Sequence, residues 1–196
     1  IKCGNNSRHA VSLNLSSSGI SGQLGPNICS LRHLEVIDIS LNSFFRTIPS
    51  ELGNSRLLVF LDLSLNSFTG IIPFSLGNLK NLQFLNLYGN FLNGSIPESL
   101  CSLPSIGSIY LNNNKLSGTI SSNVQNMSKI VNFWLHGSKL SGTIPSSIGN
   151  CSTLQEIYLS DNHLVGTLPE SLNNLAHLTY LDVSNNTLVG KILLGS

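Results

Sequence analysis

The groups in this chain with chemistry to offer are five histidines, four cysteines and nine carboxylates. His9, His33, His136, His163 and His177 belong to no HExxH pair. None is placed by the sequence beside both a nucleophile and an acid, so neither metal-assisted nor Ser/Cys-type hydrolysis is indicated. Cys3, Cys29, Cys101 and Cys151 lack the CxxC spacing of a zinc site. No carboxylate pair is recognisable as a glycosidase pair. The reading is therefore of a protein that is not an enzyme and needs no metal or cofactor. What stands out instead is Tyr110, Trp134 and Tyr158, three large aromatics at a constant interval in a chain with one tryptophan.

That interval belongs to the whole sequence. Leu13, Ile37, Leu61, Leu85, Ile109, Phe133, Ile157 and Leu181 are each 24 residues apart, with no insertion or deletion. Two residues after each anchor comes Leu15, Ile39, Leu63, Leu87, Leu111, Leu135, Leu159 or Val183. Every repeat thus holds a strand whose inward side chains recur at period two. Five residues after the anchor stands Asn42, Asn66, Asn90, Asn114, Asn162 or Asn186, with Ser18 and Ser138 as exceptions. An amide carries both a donor and an acceptor, so it can satisfy interior backbone groups that a turn leaves unpaired. Serine supplies only part of this, and the first and sixth coils are expected to be less firmly tied.

The remainder of each unit reads xLSGxIPxxLGNLxxL. Gly22, Gly70, Gly94, Gly118, Gly142, Gly166 and Gly190 mark a turn that tolerates positive φ, and Arg46 stands in the same column. If the backbone is kept there, the arginine costs about 1 kcal/mol. Pro49, Pro73, Pro97, Pro145 and Pro169 follow an inward Ile or Leu and limit extension of the preceding segment. Stretches of the SSLGNL type then make a short helical or 3₁₀ turn on the outer side.

Composition narrows the partners. The 196 residues are 41% hydrophobic but only 10% charged, with net charge +1 and no basic cluster, so nucleic acid is excluded. No run reaches the roughly 18 to 20 apolar residues of a membrane span, and no signal-peptide pattern opens the chain. A secreted form would have had its signal removed.

The combined string L-x-x-L-x-L-x-x-N-x-L-x-G-x-I-P-x-x-L-G-x-L, as in LVFLDLSLNSFTGIIPFSLGNLKNL and LQEIYLSDNHLVGTLPESLNNLAHL, resembles the plant-type leucine-rich repeat over residues 10 to 196. SGQLGPNICSLRHL, YGNFLNGSIPESL and the terminal repeat text are similar to the amino-terminal repeats of plant receptor kinases that perceive Pep-type danger peptides. The resemblance implies an α/β repeat solenoid, right-handed and superhelically twisted, with a parallel sheet on its inner face and short turns outside. It also implies an extracellular or apoplastic setting, a peptide or protein ligand, a co-receptor kinase and N-glycans. Residues 1–9 look like the remnant of a Cys-rich amino-terminal cap, which would leave Cys3 without its usual partner. Residues 10–196 are expected to make about eight repeats, without the family's carboxyl cap.

Cys29 and Cys101 share a column three repeats apart, roughly 14 Å at a strand spacing of about 4.8 Å. That exceeds the ~7 Å reach of a disulfide. Cys151 fails with Cys101 for the same reason; Cys3 with Cys29 stays open, and free or buried thiols are the expectation. Sequons occur at Asn5, Asn14, Asn93, Asn126, Asn150 and Asn185. Asn126 and Asn150 fall on the outer turn, clear of the sheet, whereas Asn14 and Asn185 lie on or beside the strand face.

Positions one before, one after and three after each anchor are expected to face out from the inner sheet. The column one after reads Asn14, Asp38, Asp62, Asn86, Tyr110, Trp134, Tyr158, Asp182. Tyr88 and His136 come from the column three after, and Phe60, Phe84, Glu156 and Tyr180 from the column one before. Phe84, Tyr88, Tyr110, Trp134, His136, Glu156, Tyr158 and Tyr180 are therefore the expected ligand-binding residues. Exposed aromatics on a sheet offer contact area with fixed polar tips, although aromatics also favour strands and stabilise their cross-strand neighbours. Glu156 and Asp161 could meet a basic ligand group or be plain solvated charges. The alternative function is a secreted inhibitor of a microbial cell-wall enzyme, similar to polygalacturonase inhibitors. Ice binding would need regular threonine columns on a flat face, which are not expected here.

Overall fold

The anchor and its immediate neighbours form a short strand in every coil, five residues long in the first and three in the others, and consecutive strands pair in parallel with their anchors opposite one another. Leu13 lies opposite Ile37, Ile37 opposite Leu61, and so on through Leu85, Ile109, Phe133 and Ile157 to Leu181. A computed structural model describes residues 2–3 and 10–191 of the chain. Eight such strands, from Ala10–Asn14 to Tyr180–Asp182, form one sheet, and Lys2–Cys3 adds a ninth, antiparallel to the first. The rest of the expected cap remnant, with Asn5, lies outside the described residues.

The anchors of the second to seventh coils are all at most 5% exposed. Leu181 of the eighth coil, the last strand of this sheet among the described residues, is only half-buried. Opposite the sheet, seven five-residue 3₁₀ turns run from Pro26–Ser30 to Glu170–Asn174. Five of them start directly after a proline: Pro49, Pro73, Pro97, Pro145 or Pro169. Proline supplies no N–H, so the segment before it ends and the turn begins.

A second sheet, which the repeat text does not signal, lies beside the first. Eight short parallel strands, from Ser21–Gln23 to Thr187–Leu188, follow the ladder position of each coil, asparagine in six and serine in two. Their buried side chains include Phe44, Phe68, Leu92, Leu116, Leu140 and Leu164. The asparagine ladder joins the two sheets. Asn90 Nδ2 donates to the carbonyls of Leu63, Leu87 and Tyr88 at 3.0, 3.1 and 3.3 Å, while its Oδ1 accepts from the Phe68 N–H at 3.0 Å. Asn66, Asn114 and Asn162 each donate three such bonds. At Ser138 the ladder breaks: its Oγ is buried without a hydrogen-bond partner.

Arg46 has φ 67 and therefore keeps the left-handed backbone of the glycine column. At other positions of the column space also favours glycine. A Cβ on Gly142 would stand 2.8 Å from the Thr119 methyl of the preceding coil. Thr47, Thr119, Thr143 and Thr167 share one exposed column, but Ile71 and Ser95 interrupt it, so it is not a regular threonine column. Where a glycine follows in the next coil, as at Gly70, Gly142, Gly166 and Gly190, the threonine methyl packs against it.

The three described cysteines are unpaired, with Cys101 and Cys151 buried and Cys29 partly so. Burial pushes the Cys101 and Cys151 thiols up to about 11, which keeps them protonated and unreactive. The side chain of Cys3 lies outside the described residues. No helix among the described residues is long and apolar enough to cross a membrane.

Candidate groove on the inner sheet

The inner sheet sets its side chains at the coil spacing, close enough for large rings in adjacent coils to touch. Phe60 and Phe84 stack with centroids 4.4 Å apart, and Phe84 meets Tyr110 edge-on at 5.5 Å. Tyr110 meets Trp134 at 4.6 Å, Trp134 meets Tyr158 at 4.7 Å, and Tyr158 stacks on Tyr180 at 4.6 Å. Six rings thus form one unbroken line across six coils. It begins in the column one before the anchor, crosses to the column one after for the middle three rings, and returns at Tyr180.

Phe60 was not among the expected site residues. Its position 24 residues before Phe84, in the same column, was the signal that could have found it. Tyr88 contributes differently, bordering a cavity of about 390 Å³ lined also by Asn86, Tyr110, Asn112, Trp134 and His136. Glu156 is not merely a solvated charge, because Trp134 Nε1 donates to its Oε2 at 3.1 Å. That bond fixes the indole edge and points a carboxylate along the ladder. Asp161 is exposed and accepts from Asn185 Nδ2 at 2.8 Å.

The column three after the anchor is a correction. It was expected to face solvent, but Ser40, Ser64, Asn112 and Ser160 are only 4–7% exposed and His136 is half-buried. His136 lies 6.2 Å from Trp134 and 5.7 Å from Tyr158 between ring centroids, and its Nε2 is 3.1 Å from Asn112 Nδ2. Burial lowers the His136 pKa from its ordinary value, opposed by the nearby Asp182 and Asp161. Desolvation holds the Tyr158 phenol above its usual range, with Glu156, Tyr180 and Asp182 adding to the effect. The phenol is a neutral donor at physiological pH.

The charge in these three columns has one sign. Asp38, Asp62, Glu156 and Asp182 are the carboxylates, and no Lys or Arg occupies any of the three positions. Asp182 is kept ionised first by the Ser184 hydroxyl, then by the Ser184 N–H and Ser160. No cluster of His, Cys, Asp and Glu among the described residues is arranged to hold a metal.

Of the sequons, Asn93, Asn126 and Asn150 are exposed and lie off the inner sheet, the last two at the ends of 3₁₀ turns. Asn14 and Asn185 donate to Asp38 and Asp161 beside the groove.

The leucine rich repeat family model matches residues 56–116 and 129–188, and a second repeat model matches 33–55. The chain is 37% identical over 54 residues to a putative leucine-rich repeat receptor-like serine/threonine-protein kinase of Arabidopsis thaliana. That match covers 28% of this chain and 6% of the kinase. Among solved structures, the PEPR1–AtPEP1 complex superposes with TM-score 0.96 at 47% identity, covering 98% of this chain and 27% of that one. The plant peptide hormone receptor RGFR1 in complex with RGF2 gives TM-score 0.70 at 30% identity, over 86% and 31% of the two chains. The chain therefore spans about a quarter to a third of these structures.

Proposed function

This chain belongs to the leucine-rich repeat family, and on that premise we propose that it is an extracellular ligand-recognition module of a plant receptor kinase, binding a peptide along its inner sheet. The observation that carries the reading is the unbroken line of rings from Phe60 to Tyr180. Its five intervals span about 24 Å at a coil spacing of about 4.8 Å, the length of roughly seven extended residues. Apolar side chains of such a peptide would lie on Tyr110, Trp134 and Tyr158, and its basic side chains would meet Asp38, Asp62, Glu156 and Asp182. Phe84, Tyr88, His136 and Tyr180 complete the walls.

Support also comes from what solved relatives hold, since PEPR1 is solved with AtPEP1 and RGFR1 with RGF2. In the same reading the module sits at the cell surface in the apoplast and works with a co-receptor kinase. Glycans would be carried at Asn126 and Asn150, where they leave the groove open; a mass shift on treatment with peptide-N-glycosidase checks this.

The test is calorimetry against a panel of basic plant-type signalling peptides. Loss of a central aromatic anchor is worth about 2 kcal/mol or more, so Trp134→Ala should weaken a binder by about 30-fold. Unchanged affinity would remove the aromatic ladder from the binding surface. Stoichiometric inhibition of a fungal polygalacturonase would move the assignment to the inhibitor alternative.

A further inference from the structure

In the second, third and eighth coils the groove closes on itself. Ser40, Ser64 and Ser184 donate their hydroxyls to Asp38, Asp62 and Asp182 at 2.7, 2.6 and 2.7 Å. The fifth and sixth coils have Tyr110 and Trp134 where those aspartates stand, and Asn112 and His136 where those serines stand. The polar residue has thus lost its built-in acceptor. Asn112 and His136 meet each other instead, at 3.1 Å, and this leaves Asn112 Oδ1 and His136 Nδ1 buried without any partner. Asn112 as a whole is 4% exposed, and both residues line the cavity of about 390 Å³ beside Tyr88.

We propose that Asn112 and His136 form the floor of a subsite selective for a carboxamide, taking the side chain of an Asn or Gln in the bound peptide. This rests on the peptide-groove reading above and deepens it.

The chemistry follows from the pair itself. If Asn112 Nδ2 donates to Nε2, the imidazole proton sits on Nδ1, and the two unpartnered buried atoms are an acceptor on Asn112 and a donor on His136. If the Asn112 amide is turned over, Nε2–H donates to Oδ1, and the remainder is a donor on Asn112 and an acceptor on His136. In either arrangement the two unpartnered atoms are one donor and one acceptor. A primary carboxamide supplies the complementary acceptor and donor from a single planar group. A carboxylate has no donor for the remaining acceptor, and an ammonium has no acceptor for the remaining donor. Leaving such atoms unpaired is unfavourable in the free protein, so a ligand that pairs both is strongly discriminated from one that pairs neither. Both atoms are covered in the free chain, so the half-exposed side chains around the cavity must shift to admit the ligand group.

The experiment uses the chain as it stands, labelled with ¹⁵N-histidine, with the His136 signal assigned from the His136→Phe variant. Propionamide, propionate and propylammonium are titrated as side-chain probes. The expected result is a saturable shift of both His136 ring nitrogens with propionamide alone, with a dissociation constant on the order of 1–10 mM for so small a probe. Equal responses to all three probes, or none to any, overturn the subsite; in the latter case water alone meets the two atoms. A peptide from the calorimetric panel then separates this proposal from the one it rests on. Replacing its Asn or Gln by Leu should weaken binding about tenfold on the parent chain and leave binding to Asn112→Leu unchanged. If that replacement has no effect on the parent chain, the subsite falls and the groove stands. If no panel peptide binds at all, the groove falls while the propionamide titration still decides the subsite.

Discussion

The third and sixth coils share one backbone and carry opposite polar schemes. In the third, Asp62 accepts the Ser64 N–H at 2.9 Å, the Ser64 hydroxyl at 2.6 Å and Asn86 Nδ2 from the next coil at 3.0 Å. In the sixth, Trp134 stands in the aspartate position, His136 Nδ1 has no partner, and Ser138 leaves a gap in the ladder. The third coil is satisfied from within. The sixth has given up side-chain support for its turn and exposed rings in exchange. Strand propensity alone does not account for this, because it would favour the rings without removing the groups that close the turn. Coordinated local losses of this kind are expected at functional sites.

The largest effect that tests this contrast comes from the closed side. Asn90→Ala removes four hydrogen bonds, three of them buried, that join two coils and both sheets. A buried group left unpaired costs about 1–3 kcal/mol, so destabilisation of about 3–5 kcal/mol is expected in urea unfolding. A loss below about 1 kcal/mol would mean that the ladder does not distinguish the two regions. The reverse change should work in the open coil. Ser138→Asn puts an amide where the Leu111, Leu135 and His136 carbonyls and the Leu116 N–H occupy the ladder's recurring positions, and it should add about 2 kcal/mol. If the melting temperature did not rise, the sixth coil would differ from its neighbours in backbone as well as in side chains.

Opening a closed coil should be a milder change. Asp62→Ala frees the Ser64 hydroxyl and N–H, but Asp62 is only half-buried and water can replace part of what it supplied. A loss of about 1 kcal/mol in the same unfolding assay is expected. Asp62→Asn, which keeps the acceptor and removes the charge, should recover most of it. If both variants lost the same amount, charge rather than hydrogen bonding would be what closes the flanking coils.

Much of this was legible from periodicity. A 24-residue repeat with no insertion put the anchors in register, and every anchor pair lies opposite its neighbour. The same period identified the central rings and the broken ladder at Ser138. The second sheet was hidden because its strands contain glycine at positive φ, such as Gly70 at 78° and Gly118 at 80°, a residue that usually signals a turn. The burial of Asn112 and His136 was hidden for a different reason. Period-two alternation holds only within a straight strand, and the three-residue strands here end at the position one after the anchor. The column three after already lies past the strand, where the chain curls back toward the core.

The smallest expected effect reads the polarity of the open coil through its histidine. Burial holds His136 below its ordinary pKa, and Asp182 and Asp161 oppose this without overcoming it. Above about pH 6.5 the ring is neutral in both folded and unfolded chains and contributes no pH dependence. As the pH falls through 6.5, the unfolded chain takes up a proton that the folded chain resists, so stability declines until the folded pKa is passed. His136→Phe should remove this share of the decline, seen as a smaller difference in melting temperature between pH 7 and pH 5 than in the parent chain. Asp182 does not confuse the measurement, because its pKa is held below the usual carboxylate range and it stays ionised throughout that window. A parent chain that gained stability on acidification relative to His136→Phe would show the two aspartates outweighing burial. The sixth coil would then be closed by charge after all, and its contrast with the third would be one of range rather than of kind.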